Sequence, residues 1–248
     1  MFSERFSTLA KLFMSDIFTF KQFRVNQADC AMRINTDGIL LAALVTCQNP
    51  QQILDIGTGT GVLALMMAQK YSQAHVQAVE IEESAAARAV QNFADSPFAN
   101  RLQGCCADVL TWDTNFVFDL IISNPPFFVN SLKSTSRAKE IARHAPNNFF
   151  SLLIKKVAEL LAPDGEFWFV LPIVQANELI SLAATYQLFP VKQIAIHSNI
   201  NKTAYRYVIA LSRENRELVK ENFYIYDTLN ECNTMQYNLL LKDYLLSL

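Results

Sequence analysis

Asn124-Pro125-Pro126-Phe127 directly follows an apolar run, Phe118-Asp119-Leu120-Ile121-Ile122-Ser123. The run predicts a buried strand, and the prolines end it because each fixes φ and lacks an N–H. An open α/β sheet gathers its ligands at the carboxyl ends of its strands, so the tetrapeptide stands where a ligand would sit. Asn124 offers a side-chain oxygen and Pro125 a rigidly held carbonyl. Two acceptors aimed at one point suit a planar group bearing an NH2, such as the exocyclic amine of a base, and the Phe127 ring offers a flat face for it. Taken alone, Asn-Pro also opens ordinary turns, so the segment upstream has to decide between the two.

That segment reads strand, glycine loop, helix: Gln52-Ile53-Leu54-Asp55-Ile56, then Gly57-Thr58-Gly59-Thr60-Gly61, then an apolar stretch from Val62. Val62 stands where a dinucleotide fingerprint requires glycine or alanine, and the Gly-Lys-Ser/Thr of a phosphate loop is absent. The glycines still let the backbone approach a ligand closely, and Asp55 suits a ligand carrying an amino group. A second strand, Val76-Gln77-Ala78-Val79, ends in Glu80, whose two carboxylate oxygens can accept both hydroxyls of a ribose. A third apolar stretch ends in Cys105-Cys106-Ala107-Asp108, where Asp108 can accept from an adenine amine or simply start a turn. Asp55, Glu80, Asp108 and Asn124 thus close four successive strands and belong on one rim of a parallel sheet.

The surrounding elements must hold that rim. Residues 149–161 predict a helix stopped by Pro163-Asp164-Gly165, residues 166–171 a fifth strand, and residues 173–186 another helix. Residues 191–196 and 205–212 predict a closing hairpin around a polar loop. Upstream, Thr36-Asp37-Gly38 reads as a cap on an apolar helix over residues 39–46. The expected architecture is one α/β domain: an amino-terminal extension over residues 1–48, a core over 49–212, and a tail over 213–248 packed on that core.

Together these residues resemble the S-adenosylmethionine-dependent amino methyltransferases. The resemblance implies a Rossmann-like class I fold, a mixed seven-stranded sheet with its last strand antiparallel and helices on both faces. It implies S-adenosyl-L-methionine as cofactor, held by Asp37, Asp55, Gly57, Gly59, Gly61, Glu80, Asp108 and Asn124. Asn124, Pro125, Pro126 and Phe127 then form the catalytic group. Further elements are similar to the bacterial tRNA(Val) adenine N6-methyltransferases: Phe20-Lys21-Gln22-Phe23, then Met32-Arg33-Ile34-Asn35-Thr36-Asp37-Gly38 with Arg33 for the family's lysine and Asn35 in its variable place, then Asn92, Ser96-Pro97-Phe98 and Ala142-Arg143-His144. This implies a valine-specific tRNA as partner and N6 of adenosine 37 as target. Phe127 replaces the family's usual tyrosine. Phenylalanine also occurs there in relatives that methylate guanine N2 of ribosomal RNA, and that target stays open. Glutamine N5 methylation of a protein and a non-catalytic RNA-binding module are the remaining alternatives.

The net charge of −2 gives no global basic footprint for nucleic acid. Candidate RNA contacts are local: Lys21, Arg24 and Arg33 near the amino terminus, then Lys133, Arg137, Lys139, Arg143 and His144 beyond the tetrapeptide. Five cysteines with no metal spacing predict reduced thiols and no metal site. With no apolar run of membrane-spanning length and no secretion signal, the sequence predicts a cytoplasmic protein that stays off the membrane, and a monomer.

Overall fold

The computed structural model describes residues 15–28, 30, 32–126, 146–228 and 232–246. Two short antiparallel strands, β1 (Ile17–Thr19) and β2 (Arg24–Asn26), come first. Helix α1 (Thr36–Leu44) leads into the core. The core then runs β3 (Gln52–Ile56), α2 (Val62–Lys70), β4 (His75–Glu80), α3 (Glu83–Ala94), β5 (Leu102–Cys106), β6 (Phe118–Ser123), α4 (Pro146–Leu160), β7 (Leu161–Leu171), α5 (Ile173–Ala184), β8 (Phe189–His197) and β9 (Arg206–Ser212). Strand β10 (Val219–Tyr224) and helix α6 (Met235–Leu241) follow.

The main sheet has the order β10-β8-β9-β7-β6-β3-β4-β5. Seven of its strands match the expected mixed sheet, with β9 antiparallel to both neighbours, β7 and β8. The eighth, β10, is an addition from the tail and lies parallel to β8, from Val219↔Lys192 to Tyr224↔His197. It escaped the sequence reading because Val219 to Asn222 are exposed and only Phe223 points into the core. One buried side chain in an edge strand leaves no period-two signal.

Side-chain alternation divides the core between the two sheet faces. Ile53, Trp168 and Val170 pack on one side with α1, α2 and α6. Leu54, Phe167, Phe169 and Leu171 pack on the other with α4 and α5. The Phe-rich start of the chain joins the first side: Phe18, Phe20 and Phe23 are buried, with the Phe20 and Phe23 rings stacked at 4.4 Å.

Helix α1 begins earlier than expected. Asn35, not the Thr36-Asp37-Gly38 run, is its N-cap, with Oδ1 accepting from Gly38 N at 2.9 Å. At its other end the Lys70 ammonium donates to the carbonyls of Ala43 and Val45, the latter at 2.5 Å, and closes the helix carboxyl terminus. Burial pulls the Lys70 amine down to about 8. Among the described residues, no helix is long and apolar enough to cross a membrane.

Candidate active site

Strand register brings the predicted residues to one rim. Ile56 pairs with Val79 of β4 and with Ser123 of β6, which sets Gly57, Glu80 and Asn124 level with one another. Glu80 pairs with Cys106 of β5, so Asp108 lies just beyond the same edge. The sheet order therefore lines up Asp108, Glu80, the glycine loop and Asn124 across four adjacent strands, roughly 14 Å from first to last. Ser123 Oγ donates to the Ile56 carbonyl at 2.9 Å and fixes β6 against β3 at this level.

The glycine loop is tied to the neighbouring strand β4. Gly57 N and Thr58 N donate to the Val79 carbonyl. Gly59, at φ +55°, donates its N–H to Glu80 Oε2 at 2.9 Å, and a Cβ added there would meet no neighbour within 4 Å. The loop thus faces open space at a position where only glycine adopts the backbone easily. Gly61 is crowded instead: a Cβ would lie 2.5 Å from Phe93. Glu80 is oriented from two sides, because its Oε1 accepts from Glu82 N at 3.0 Å. Each oxygen retains a second lone pair for a hydroxyl.

Asp55 is fully buried behind the loop. Its Oδ2 accepts from Thr58 Oγ1 at 2.6 Å and from Ala64 N at 3.1 Å, so it caps the amino terminus of α2 from the preceding strand. Its Oδ1 has no partner. Burial raises the carboxyl to about 7, Glu80 adds to the rise, and the bonds from Thr58 and Ala64 oppose it. An orphaned buried oxygen beside an open glycine loop fits the amino-acid end of the expected cofactor, and the Glu80 carboxylate fits its ribose. Asp108 is partly committed to a turn, its Oδ1 accepting from Leu110 N at 2.9 Å.

Asn124 is partly exposed, Pro125 is buried and Pro126 is exposed. Asn124 Nδ2 lies 3.5 Å from Asn35 Oδ1 at the amino end of α1. Asp37, expected at the cofactor, engages Arg206 of β9 through a 2.8 Å bond from Nε to Oδ2, both side chains being about four-fifths buried. Phe127, Lys133, Arg137, Lys139, Arg143 and His144 lie outside the described residues.

The amino-terminal basic residues are mostly engaged within the chain. Lys21 donates to the Lys242 carbonyl through its ammonium and to Tyr244 O through its N–H. Arg33 pairs with Asp16 at 3.1 Å. Arg24 is exposed on β2.

Three residues at the site were missed by the sequence reading as members of it: Asn35, Arg206 and Asn92. Asn92 is 2% exposed on α3. Its Oδ1 accepts from Asn26 N, and its Nδ2 donates to Asn26 O and to Thr60 O, each at 2.9 Å. It joins the first hairpin to the glycine loop. A lone asparagine on the alanine-lined face of α3, beside Ala89 and Phe93, was the available signal.

The Methyltransferase small domain family model matches residues 30–189. A protein from Pedobacter heparinus named tRNA1(Val) (adenine(37)-N6)-methyltransferase is 43% identical, covering 94% of this chain and 100% of its own length. Proteins of the same name from Bacteroides thetaiotaomicron and Pectobacterium carotovorum are 37% and 39% identical over 93% of this chain. The chain belongs to the tRNA1(Val) (adenine(37)-N6)-methyltransferase family. The fold agrees with solved methyltransferases. A predicted O-methyltransferase from Agrobacterium tumefaciens superposes with a TM-score of 0.67, covering 84% of this methyltransferase and 96% of that chain at 18% identity. A TehB-like SAM-dependent methyltransferase from Corynebacterium glutamicum gives 0.52, covering 86% and 96% at 13% identity.

Proposed function

We propose that this methyltransferase transfers a methyl group from S-adenosyl-L-methionine to N6 of adenine 37 in tRNA1(Val), the target named for its relatives. The observation that carries the reading is the register that sets Asn124-Pro125 level with the glycine loop and Glu80 on one rim. When bound, the cofactor would supply an electrophilic methyl on a sulfonium and leave as the neutral thioether, while the amine gives up one proton to water. The rest is the work of this chain's residues.

Asn124 Oδ1 and the Pro125 carbonyl accept from the two hydrogens of the adenine amine. This holds the nitrogen in place and draws its lone pair out of conjugation with the ring. Positive charge grows on that nitrogen in the transition state, and two fixed acceptor dipoles stabilise it without reorganising. Positioning supplies most of the remaining gain. The base has to leave its stack to reach the rim. Stacking on Phe127, worth about 1–3 kcal/mol, offsets part of that cost.

The test is incubation with labelled S-adenosyl-L-methionine and unmodified tRNA, followed by nucleoside digestion. N6-methyladenosine at position 37 of a valine tRNA is the expected product. Transfer to guanine N2 of ribosomal RNA instead would overturn the target and keep the site. Asn124→Ala is expected to lose turnover while still binding S-adenosyl-L-methionine by calorimetry. Near-normal turnover in that variant would remove Asn124 from the catalytic group.

A further inference from the structure

Asn124 can serve its proposed role only with its amide the right way round. Oδ1 has to face the open rim and Nδ2 the protein. The structure places Nδ2 over the first turn of α1, where the missing side chain of Gly38 leaves a notch. A Cβ on Gly38 would sit 3.4 Å from that nitrogen and 3.1 Å from Leu63 Cδ1. The Gly38 N–H and Asn35 Oδ1 both lie at this turn.

These two groups have opposite preferences. A bare N–H at a helix amino terminus is an unsatisfied donor backed by the positive end of the helix dipole. Left free, it would attract Asn124 Oδ1 and turn the amide over. The NH2 of Asn124 would then face the NH2 of the substrate base, donor against donor. Asn35 prevents this in two ways with one oxygen. Its Oδ1 takes the Gly38 N–H at 2.9 Å, and the same atom accepts from Asn124 Nδ2 at 3.5 Å.

We infer that Asn35 is a positioning residue for methyl transfer, the helix cap that fixes the amide orientation of Asn124. The inference rests on the catalytic reading of Asn124.

The test separates capping from positioning. Glycine caps a helix nearly as well as asparagine, within a few tenths of a kcal/mol, but offers no side-chain oxygen. Asn35→Gly is therefore expected to melt within about two degrees of the wild type and to bind S-adenosyl-L-methionine with unchanged affinity. Its kcat on tRNA should fall on the order of tenfold, the loss of one oriented hydrogen bond in the transition state. Asn35→Asp, which keeps an acceptor for both partners, should restore kcat to within about threefold of wild type. In the Asn124→Ala background, Asn35→Gly should cause no further loss. Wild-type kcat in Asn35→Gly alongside an inactive Asn124→Ala would overturn the inference and leave Asn124 catalytic. So would failure of the aspartate to rescue. Normal turnover in Asn124→Ala would remove the basis for both.

Discussion

Asn92→Ala isolates how much the hairpin and the glycine loop depend on one side chain. The amide makes three hydrogen bonds of 2.9 Å in a position 2% exposed to solvent. Removing it takes the side-chain partner from Asn26 N–H, Asn26 O and Thr60 O. At about 1 kcal/mol per bond, the loss is about 3 kcal/mol, a sizeable share of a domain stability of about 5–15 kcal/mol. For a chain of this size that lowers Tm by roughly 6–12 °C. Asn92→Asp sharpens the argument. It keeps the acceptor for Asn26 N–H but loses both donations and sets a carboxylate oxygen against two carbonyls, so it should be worse than alanine despite its nearly identical shape. Denaturant unfolding of the three proteins at pH 7.5 gives the order, and calorimetry gives the cofactor affinity, which should weaken in both variants as Thr60 is released. An Asn92→Asp protein as stable as the wild type would refute the assignment of the amide nitrogen to the two carbonyls. A loss below about 1 kcal/mol in Asn92→Ala would show that the clamp carries little energy.

Three other perturbations test separate parts of the argument. Asp55 titrates at about 7 when folded and near 3.9 when unfolded, so the folded state holds the extra proton in between. Its contribution to stability is full below about pH 4 and is lost as pH rises through about 7. Asp55→Asn, in which the amide oxygen can take the place of Oδ2, should gain on the wild type between pH 5 and pH 8 by a few kcal/mol; parallel urea midpoints across that range would show that Asp55 does not titrate there. Arg206→Met strands Asp37 and should cost about 2–3 kcal/mol, part of which Asp37→Leu in the same chain should recover; a double variant no better than the single would argue against a coupled pair. Arg24→Ala should weaken tRNA binding about two- to fivefold at low salt and reduce the salt slope by about one, with cofactor affinity unchanged; an unchanged slope in filter binding would take β2 out of the RNA contact.

The rim was legible because its parts are local in sequence. Each of Glu80, Asp108 and Asn124 follows its own apolar run, and a parallel sheet puts the ends of such runs together whatever lies between them. The groups that orient those residues were not legible, because their partners are remote. Asn92 reaches Thr60 across 32 residues, Asn35 reaches Asn124 across 89, and Arg206 reaches Asp37 across 169. No periodicity or cap rule encodes pairings of that range. Charge marks Lys21 and Arg33 as RNA contacts but does not reveal that they also bond Lys242 and Asp16. A cation near a terminus looks free until the other end of the chain is placed beside it.

That meeting of the two ends has a consequence for how the protein is made. Phe20 bridges to Leu245, and the Lys21 side chain reaches a carbonyl 221 residues further on. At about 5–20 residues per second, roughly 10–45 s of translation separate the two segments. During that interval the Phe18, Phe20 and Phe23 cluster lacks the Tyr244-Leu245 segment that pairs with it. The amino-terminal hairpin therefore completes its pairing only after Leu245 is made, and a nascent chain stalled before Lys242 leaves Phe20 and Lys21 without those partners.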